Sequence, residues 1–155
     1  MKHARLLVLV MAPAVAPPLF AADTLPANRA RMYARSSAET WQAVLETLTE
    51  LKLKPEKTER DTRMLVTRPA HYGGDTVKAP EVPGYVVKAF RLHIFVSPFA
   101  EPARVHIGSV SDASKHGGGT ATYYNGGIAE QWFLDALDRR LGQAGLARQR
   151  VQQVA

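Results

Sequence analysis

The sequence predicts an α+β domain in which an antiparallel sheet of about five strands carries two helices on one face. Three observations lead to this prediction. A capped helical stretch lies near residue 40, a long pair of alternating segments fills the middle of the chain, and a second apolar helical stretch lies near residue 135. Strands and helices in the order βαββ-ββα are typical of a sheet that packs its helices on one side.

The first helix has a clear start and end. Ser36 followed by Glu39 forms a capping box. Pro55 is expected to end the helix, since proline lacks an N–H and displaces its predecessor from the α region. The apolar stripe consists of Trp41, Val44, Leu45, Leu48 and Leu51. Short strands are predicted at residues 31–35, 56–59 and 64–68, with a polar turn at 60–63.

Residues 85–97 and 104–112 predict a long hairpin. One face of its first strand is predicted to carry Val86, Phe90, Leu92, Ile94 and Val96, and the other Val87, Ala89, Arg91, His93 and Phe95. Ile94 and Val105 should share the core face, so the numbers of paired residues should have an odd sum. A sum of 199 would place His93 directly opposite His106.

The second helix is predicted from its broad apolar face, and two irregular segments are predicted around the hairpin. The apolar positions are Ile128, Trp132, Phe133, Leu134, Ala136, Leu137 and Leu141. Gly142 and Gly145 should weaken the helix end, which leaves residues 143–155 as a polar tail that frays or extends the helix. Residues 69–84 and 114–125 are predicted to be long loops, the second containing three consecutive glycines.

Length and composition suit a single domain at residues 31–142. The chain has 155 residues, no cysteine and a net charge of +6. The absence of cysteine excludes a disulfide framework, a thiolate metal site and a cysteine nucleophile. The mild basic excess favours contact with an anionic membrane surface. It is too scattered to indicate nucleic acid binding.

The N-terminal segment indicates export. Residues 1–22 have the basic, apolar and small-residue order of a signal peptide, and a polar linker is predicted at 23–30. Cleavage near Asp23 would leave a net charge of about +4. An uncleaved membrane anchor is the alternative, but three prolines interrupt the apolar run. We therefore expect a secreted protein, in a bacterial periplasm.

In residues 31–45 a strand enters a capped helix with a tryptophan, residues 51–67 form a charged hairpin after it, and in residues 131–137 an aromatic pair opens the closing helix. In these three stretches the chain resembles the NlpB/DapX (BamC-like) lipoproteins of outer-membrane assembly. The resemblance implies a helix-grip domain used for protein contacts in the cell envelope. The family is anchored through a lipidated N-terminal cysteine, which this chain lacks.

The sequence offers no strong catalytic motif. Ser36 is better interpreted as a cap than as a nucleophile, and no elbow motif surrounds Ser111 beside Asp112 and His106. His93 and His106 are weak metal candidates, for which His71 or Asp112 would have to supply a third ligand. We expect exposed sheet histidines, no metal and no cofactor.

Two functions fit these patterns. The first is a non-enzymatic, protein-binding envelope module that uses the loop aromatics Tyr72, Tyr123 and Tyr124 as anchors for an envelope protein. The alternative is a carrier or sensor of a small apolar ligand. Its cavity, between sheet and helix, would be lined by Phe90, Leu92, Ile94 and Trp132.

Overall fold

The computed structural model describes residues 30–99, 101–123 and 127–154, with the backbone alone at 123 and 143–154. The described elements form one antiparallel sheet of seven strands and two helices, which confirms the predicted α+β class. In chain order they are β1 (Ala30–Tyr33), α1 (Ser37–Glu50), β2 (Pro55–Glu59), β3 (Met64–Thr67), β4 (Ala70–His71), β5 (Tyr85–Val96), β6 (Ala103–Lys115), β7 (Thr120–Tyr123) and α2 (Ile128–Val154).

The long hairpin of β5 and β6 is the centre of the sheet. The strand order is β1-β6-β5-β3-β2, with β4 also paired to β5 and β7 also paired to β6. The predicted hairpin is therefore confirmed, and β6 runs further than predicted. The short strands β4 and β7 raise the count above the predicted five.

The register of the hairpin differs by two from the prediction. Ile94 pairs with Ile107, so the numbers of paired residues add up to 201. This sum is odd, as predicted, but it is not the predicted 199. Under a sum of 199, Ser97 would face Pro102, which has no N–H to donate. Ser97 instead donates its N–H to the Arg104 oxygen at 2.9 Å. The prediction that His93 lies directly opposite His106 is wrong: His93 pairs with Gly108.

A β-bulge exchanges two residues near the start of β5. The register shifts between Val87 and Ala89, so one extra residue, Lys88, enters the strand. Val87 is buried and Val86 is exposed, the reverse of the predicted assignment. The alternation of Phe90 and the later core residues would have placed Lys88 in the core.

Helix α1 begins as predicted and ends differently. The Glu39 N–H donates to Ser36 Oγ and the Ser36 N–H to Glu39 Oε2, both at 3.2 Å, which completes the capping box. At the other end, the Leu53 N–H donates to the Leu48 oxygen at 2.8 Å, with Lys52 left-handed at φ +56°. These are the features of a Schellman motif, which ends the helix before Pro55 can act.

Both helices cover the same face of the sheet, which we call the inner face. The core cluster combines residues of α1, β3, β5, β6 and α2: Trp41, Val44, Leu48, Leu65, Phe90, Leu92, Ile94, Val96, Val105, Ile107, Phe133, Leu134 and Leu137. Arg140 joins the helices through Glu46 and Glu50, at 2.9 and 2.6 Å. Tyr33 donates to Asp138 at 2.8 Å, which fixes β1 to α2.

The second predicted loop is wrong over its described residues, 114–123. β6 continues to Lys115, and β7 returns after a glycine turn whose three φ angles are positive. Helix α2 continues through Gly142 and Gly145 to Val154, so the predicted polar tail extends the helix.

The predicted signal peptide and most of the predicted linker lie outside the described residues. No described helix is long and apolar enough to span a membrane.

Candidate functional site: the outer face of the sheet

The face of the sheet opposite the helices, which we call the outer face, includes alternate residues of β1, β2, β3, β5 and β6. In β5 and β6 these residues include Val86, Arg91, His93, Phe95, Arg104, His106, Val110 and Asp112. Met32 of β1 pairs with Arg104, and Met64 of β3 pairs with Phe95. Because paired residues point to the same side of a sheet, both methionines belong to this face.

The outer face presents large apolar side chains to solvent. Met32 is 57% exposed, Met64 47%, Val86 45% and Val110 36%. These are four of the six exposed large hydrophobic residues in the described part of the chain, and Phe95 is half-buried beside them. Contiguous apolar patches mark interaction surfaces. Here Met64 pairs directly with Phe95, and Met32, Val86 and Val110 lie further along the same face beside polar residues.

The charged groups of this face are mostly paired among themselves. Arg91 Nη1 lies 3.1 Å from Glu56 Oε2, and Lys57 Nζ lies 2.6 Å from Glu59 Oε1. The hydrogen bond from Lys57 is the main cause that lowers the pKa of Glu59. Arg104 makes no salt bridge with any residue the structure describes, and its Nη2 lies 4.0 Å from Met32 Sδ. The face therefore offers apolar side chains to a partner. It also offers the positive charge of Arg104, which pairs with no described carboxylate.

The two histidines are neighbours on the outer face without forming the predicted pair. Burial lowers the pKa of both, with smaller contributions from Arg91 at His93 and from Arg104 at His106. The His106 ring centre lies 5.9 Å from that of Phe95. Within the described ranges, no three His, Cys, Asp or Glu side chains are grouped closely enough to hold a metal ion.

Of the three predicted tyrosine anchors, the structure describes the side chain of Tyr72 alone. Tyr72 follows β4 and is half-buried: its ring lies 4.8 Å from that of Phe90, and its hydroxyl lies 2.8 Å from Ser111 Oγ. This packing gives Tyr72 a role in the fold. Tyr123 ends β7, but the structure describes only its backbone. Tyr124 lies outside the described residues. A binding role for the three tyrosines stays a prediction.

The predicted loops do approach each other at one end of the sheet. The Gly84 oxygen accepts the His116 N–H at 3.0 Å, and Tyr72 reaches Ser111 of β6. Ser111 is buried towards the helices, whereas Asp112 follows it on the outer side of the strand. The residue types of a hydrolytic triad are thus divided between two faces of the sheet.

The side chains proposed for a ligand cavity are core residues. Phe90, Leu92 and Ile94 are almost completely buried, and Trp132 meets Phe90 edge-on at a centroid distance of 6.1 Å. Trp41 is also buried, as predicted. Between sheet and helices, Phe90, Leu92 and Ile94 belong to one buried cluster, against which Trp132 packs.

Sequence reasoning missed Phe99, which is 99% exposed in the β5–β6 turn. Arg63 supports this turn by donating to the Pro98 oxygen at 3.2 Å and to Ser37 Oγ. An aromatic residue between two prolines is a sequence signal for an exposed turn. Phe99 adds a second apolar feature, at the end of the sheet.

Comparisons with known proteins identify no family for this chain. No protein-family model matches the chain, and no curated protein sequence is significantly similar to it. The resemblance to the NlpB/DapX lipoproteins therefore stays a prediction from the residues quoted above.

Proposed function

We propose that the protein is a non-enzymatic module of the cell envelope that binds another protein through the outer face of its sheet. The observation that carries this proposal is the set of exposed apolar side chains on that face, Met32, Met64, Val86 and Val110. Burying apolar area is the main favourable contribution to association between proteins.

The arrangement of charges favours a partner with an apolar centre. Arg91 and Lys57 already form ion pairs with Glu56 and Glu59 on this face, so they contribute little to affinity. Arg104, beside Met32, can receive an acidic side chain of the partner. The partner is thus an envelope protein with an apolar patch bordered by an acidic residue.

An envelope location has separate support. The basic, apolar and small-residue order of residues 1–22 indicates export. The resemblance to outer-membrane assembly lipoproteins favours a place among their binding modules. The packing of Phe90 and Leu92 in one buried cluster favours protein binding over transport of an apolar ligand.

Site-specific photo-crosslinking tests the surface directly. A photoreactive amino acid replaces Met32 or Met64 in cells that produce the protein, and Gln42, exposed on α1, serves as the matched control position. We expect the same covalent adduct from both outer-face positions and none from position 42. Position 124 tests the predicted tyrosine anchors in the same experiment. Adducts from 42 or 124 without adducts from 32 and 64 would contradict the outer-face proposal.

Charge substitutions then measure what the face contributes. Met32→Lys with Met64→Lys should weaken capture of the crosslinked partner by about tenfold or more, because interface centres tolerate charge poorly. Ile128→Lys replaces an exposed apolar residue off this face, and should change capture less than about twofold. Native mass spectrometry of the purified protein covers the alternative, since a bound small apolar molecule would favour a carrier.

A further inference from the structure

An open cavity lies where the segment after β4 folds over the start of β5. Its volume is about 490 Å³, and it is bordered by residues 71–74, 76, 78 and 79, with Val87 and Lys88. The basic side chains that line it are His71, Lys78 and Lys88, and no carboxylate is among its lining residues. Cavities of several hundred cubic ångströms are of the size that holds small ligands.

The wall of this cavity is fixed by hydrogen bonds within the protein. The Tyr72 N–H donates to the Lys88 oxygen, and the Gly73 N–H to the Val77 oxygen, both at 3.0 Å. The Thr76 hydroxyl lies 2.5 Å from the His71 oxygen and 2.7 Å from the Gly73 oxygen. A wall held in this way needs little further ordering when a ligand binds.

Lys88 reaches the cavity because of the bulge in β5. The alternation of Phe90 and Leu92 towards the core would bury Lys88 on the inner face, but at the bulge Lys88 is exposed and lines the cavity. Lys88 makes no salt bridge with any residue in the described part of the chain. Lys78 forms an exposed salt bridge with Glu81 at 3.7 Å, which solvent weakens.

Of the two acidic residues in this segment, Asp75 is held elsewhere. Asp75 Oδ2 accepts a hydrogen bond from Lys52 Nζ at 2.8 Å, and Asp75 does not line the cavity. Gly73 and Gly74 have φ angles of +89° and +60°, and nothing lies within 4 Å of where a Cβ would stand. The cavity is therefore cationic and is open to close approach along its glycine border.

We propose that this cavity binds a phosphate group, whose charge Lys78 and Lys88 neutralise. Lysine ammonium groups are common ligands of phosphate. The phosphate belongs either to a small soluble compound or to a phospholipid headgroup, which present the same chemistry to the two lysines. The site is separate from the outer face and does not depend on the protein-binding function.

Amide NMR titration of the full exported chain with inorganic phosphate, at constant ionic strength, tests the site. We expect saturable shifts at Gly73, Gly74 and Lys88. Lys88→Gln should weaken binding by about tenfold, because one of two neutralising charges is lost. Lys78→Gln should act in the same direction and covers any disturbance of the bulge by the first variant. Lys115→Gln is the matched control, since Lys115 is exposed, makes no salt bridge with a described residue and lies outside the cavity.

A second titration with dihexanoyl phosphatidylglycerol distinguishes the two sources of phosphate. Binding about tenfold tighter than that of inorganic phosphate assigns the site to a lipid headgroup, and the reverse order assigns it to a soluble compound. Two results would overturn the proposal. One is an equal loss of binding in Lys115→Gln and Lys88→Gln, and the other is shifts that do not saturate. Either result would mean an adventitious ion only.

Discussion

The two faces of the sheet use the same strands for different purposes. Met64 and Leu65 are adjacent in β3, yet the first is 47% exposed and the second 1%. Leu65 packs in the core beneath the helices, whereas no described helix or strand covers Met64. Burial at one position stabilises the fold, and exposure at the next leaves an apolar side chain free for a partner. Neighbouring residues of a single strand can therefore serve the fold on one side and the proposed recognition on the other.

The polar groups of the two faces differ in the same way. On the inner face, buried Thr67 accepts the Leu92 N–H at 3.0 Å, and buried Ser111 bonds to Tyr72. On the outer face, Arg104 has no carboxylate among its described neighbours. Buried polar groups must be satisfied within the fold, while exposed ones can change partners.

The largest effect should come from emptying the inner face. Trp41→Ala should lower the free energy of unfolding by about 3–5 kcal/mol, the usual cost of deleting a buried large aromatic side chain. Urea denaturation, with circular dichroism as the signal, measures this loss. A loss below about 1 kcal/mol would mean that the helices do not cover the inner face as described.

The adjacent pair in β3 tests the comparison within one strand. Leu65→Ala should lower the free energy of unfolding by about 2–5 kcal/mol because it leaves a core cavity. Met64→Ala should change it by less than about 0.5 kcal/mol but weaken partner capture. The same denaturation and capture assays serve both variants. Equal destabilisation by the two substitutions would remove the distinction between the faces.

Tyr72 tests whether a predicted binding residue belongs to the fold. Tyr72→Phe keeps the contact with Phe90 and removes the hydroxyl that pairs with buried Ser111, so it should cost about 1 kcal/mol. Tyr72→Ala should cost more, since the ring packing is lost as well. Equilibrium unfolding of both variants, compared with wild type, gives the two values. If Tyr72→Ala is as stable as wild type and loses its partner, the role in recognition would replace the role in packing.

Much of the fold follows from local patterns in the sequence. The capping box at Ser36 and Glu39 fixes where α1 begins, and the long alternation of β5 predicts its pairing with β6. The features that were predicted wrongly depend on details that a local pattern does not show. The bulge at Lys88 exchanges Val86 and Val87, and the two prolines of the turn move the register so that His93 faces Gly108. Three consecutive glycines suggested a flexible connector where the chain makes a hairpin turn.

The outer face itself was harder to predict. Met32 and Met64 lie on short strands, and they reach one surface only because β1 joins β6 on one side of the hairpin and β3 joins β5 on the other. These are pairings between residues far apart in the chain. The sequence did predict the side-chain alternation that places Arg91, His93 and Phe95 together.

The smallest predicted effect is the pH dependence that the outer-face histidines add to stability. Burial and nearby arginines lower the pKa of His93 and His106 in the folded protein, so folding favours their neutral form. Above the unfolded value of about 6.5, both states are neutral and the histidines contribute no pH dependence. As the pH falls below that value, the unfolded chain takes up protons first, and the free energy of unfolding should decrease.

Urea denaturation at about pH 7.5 and pH 5.5 should show a smaller decrease for the double variant His93→Gln and His106→Gln than for wild type. Glu59 does not contribute in this range, because its pKa is lowered from a value of 4.5. Parallel decreases in the two proteins would show that the histidines do not sense burial on the outer face, and that this face is as solvated as an ordinary surface.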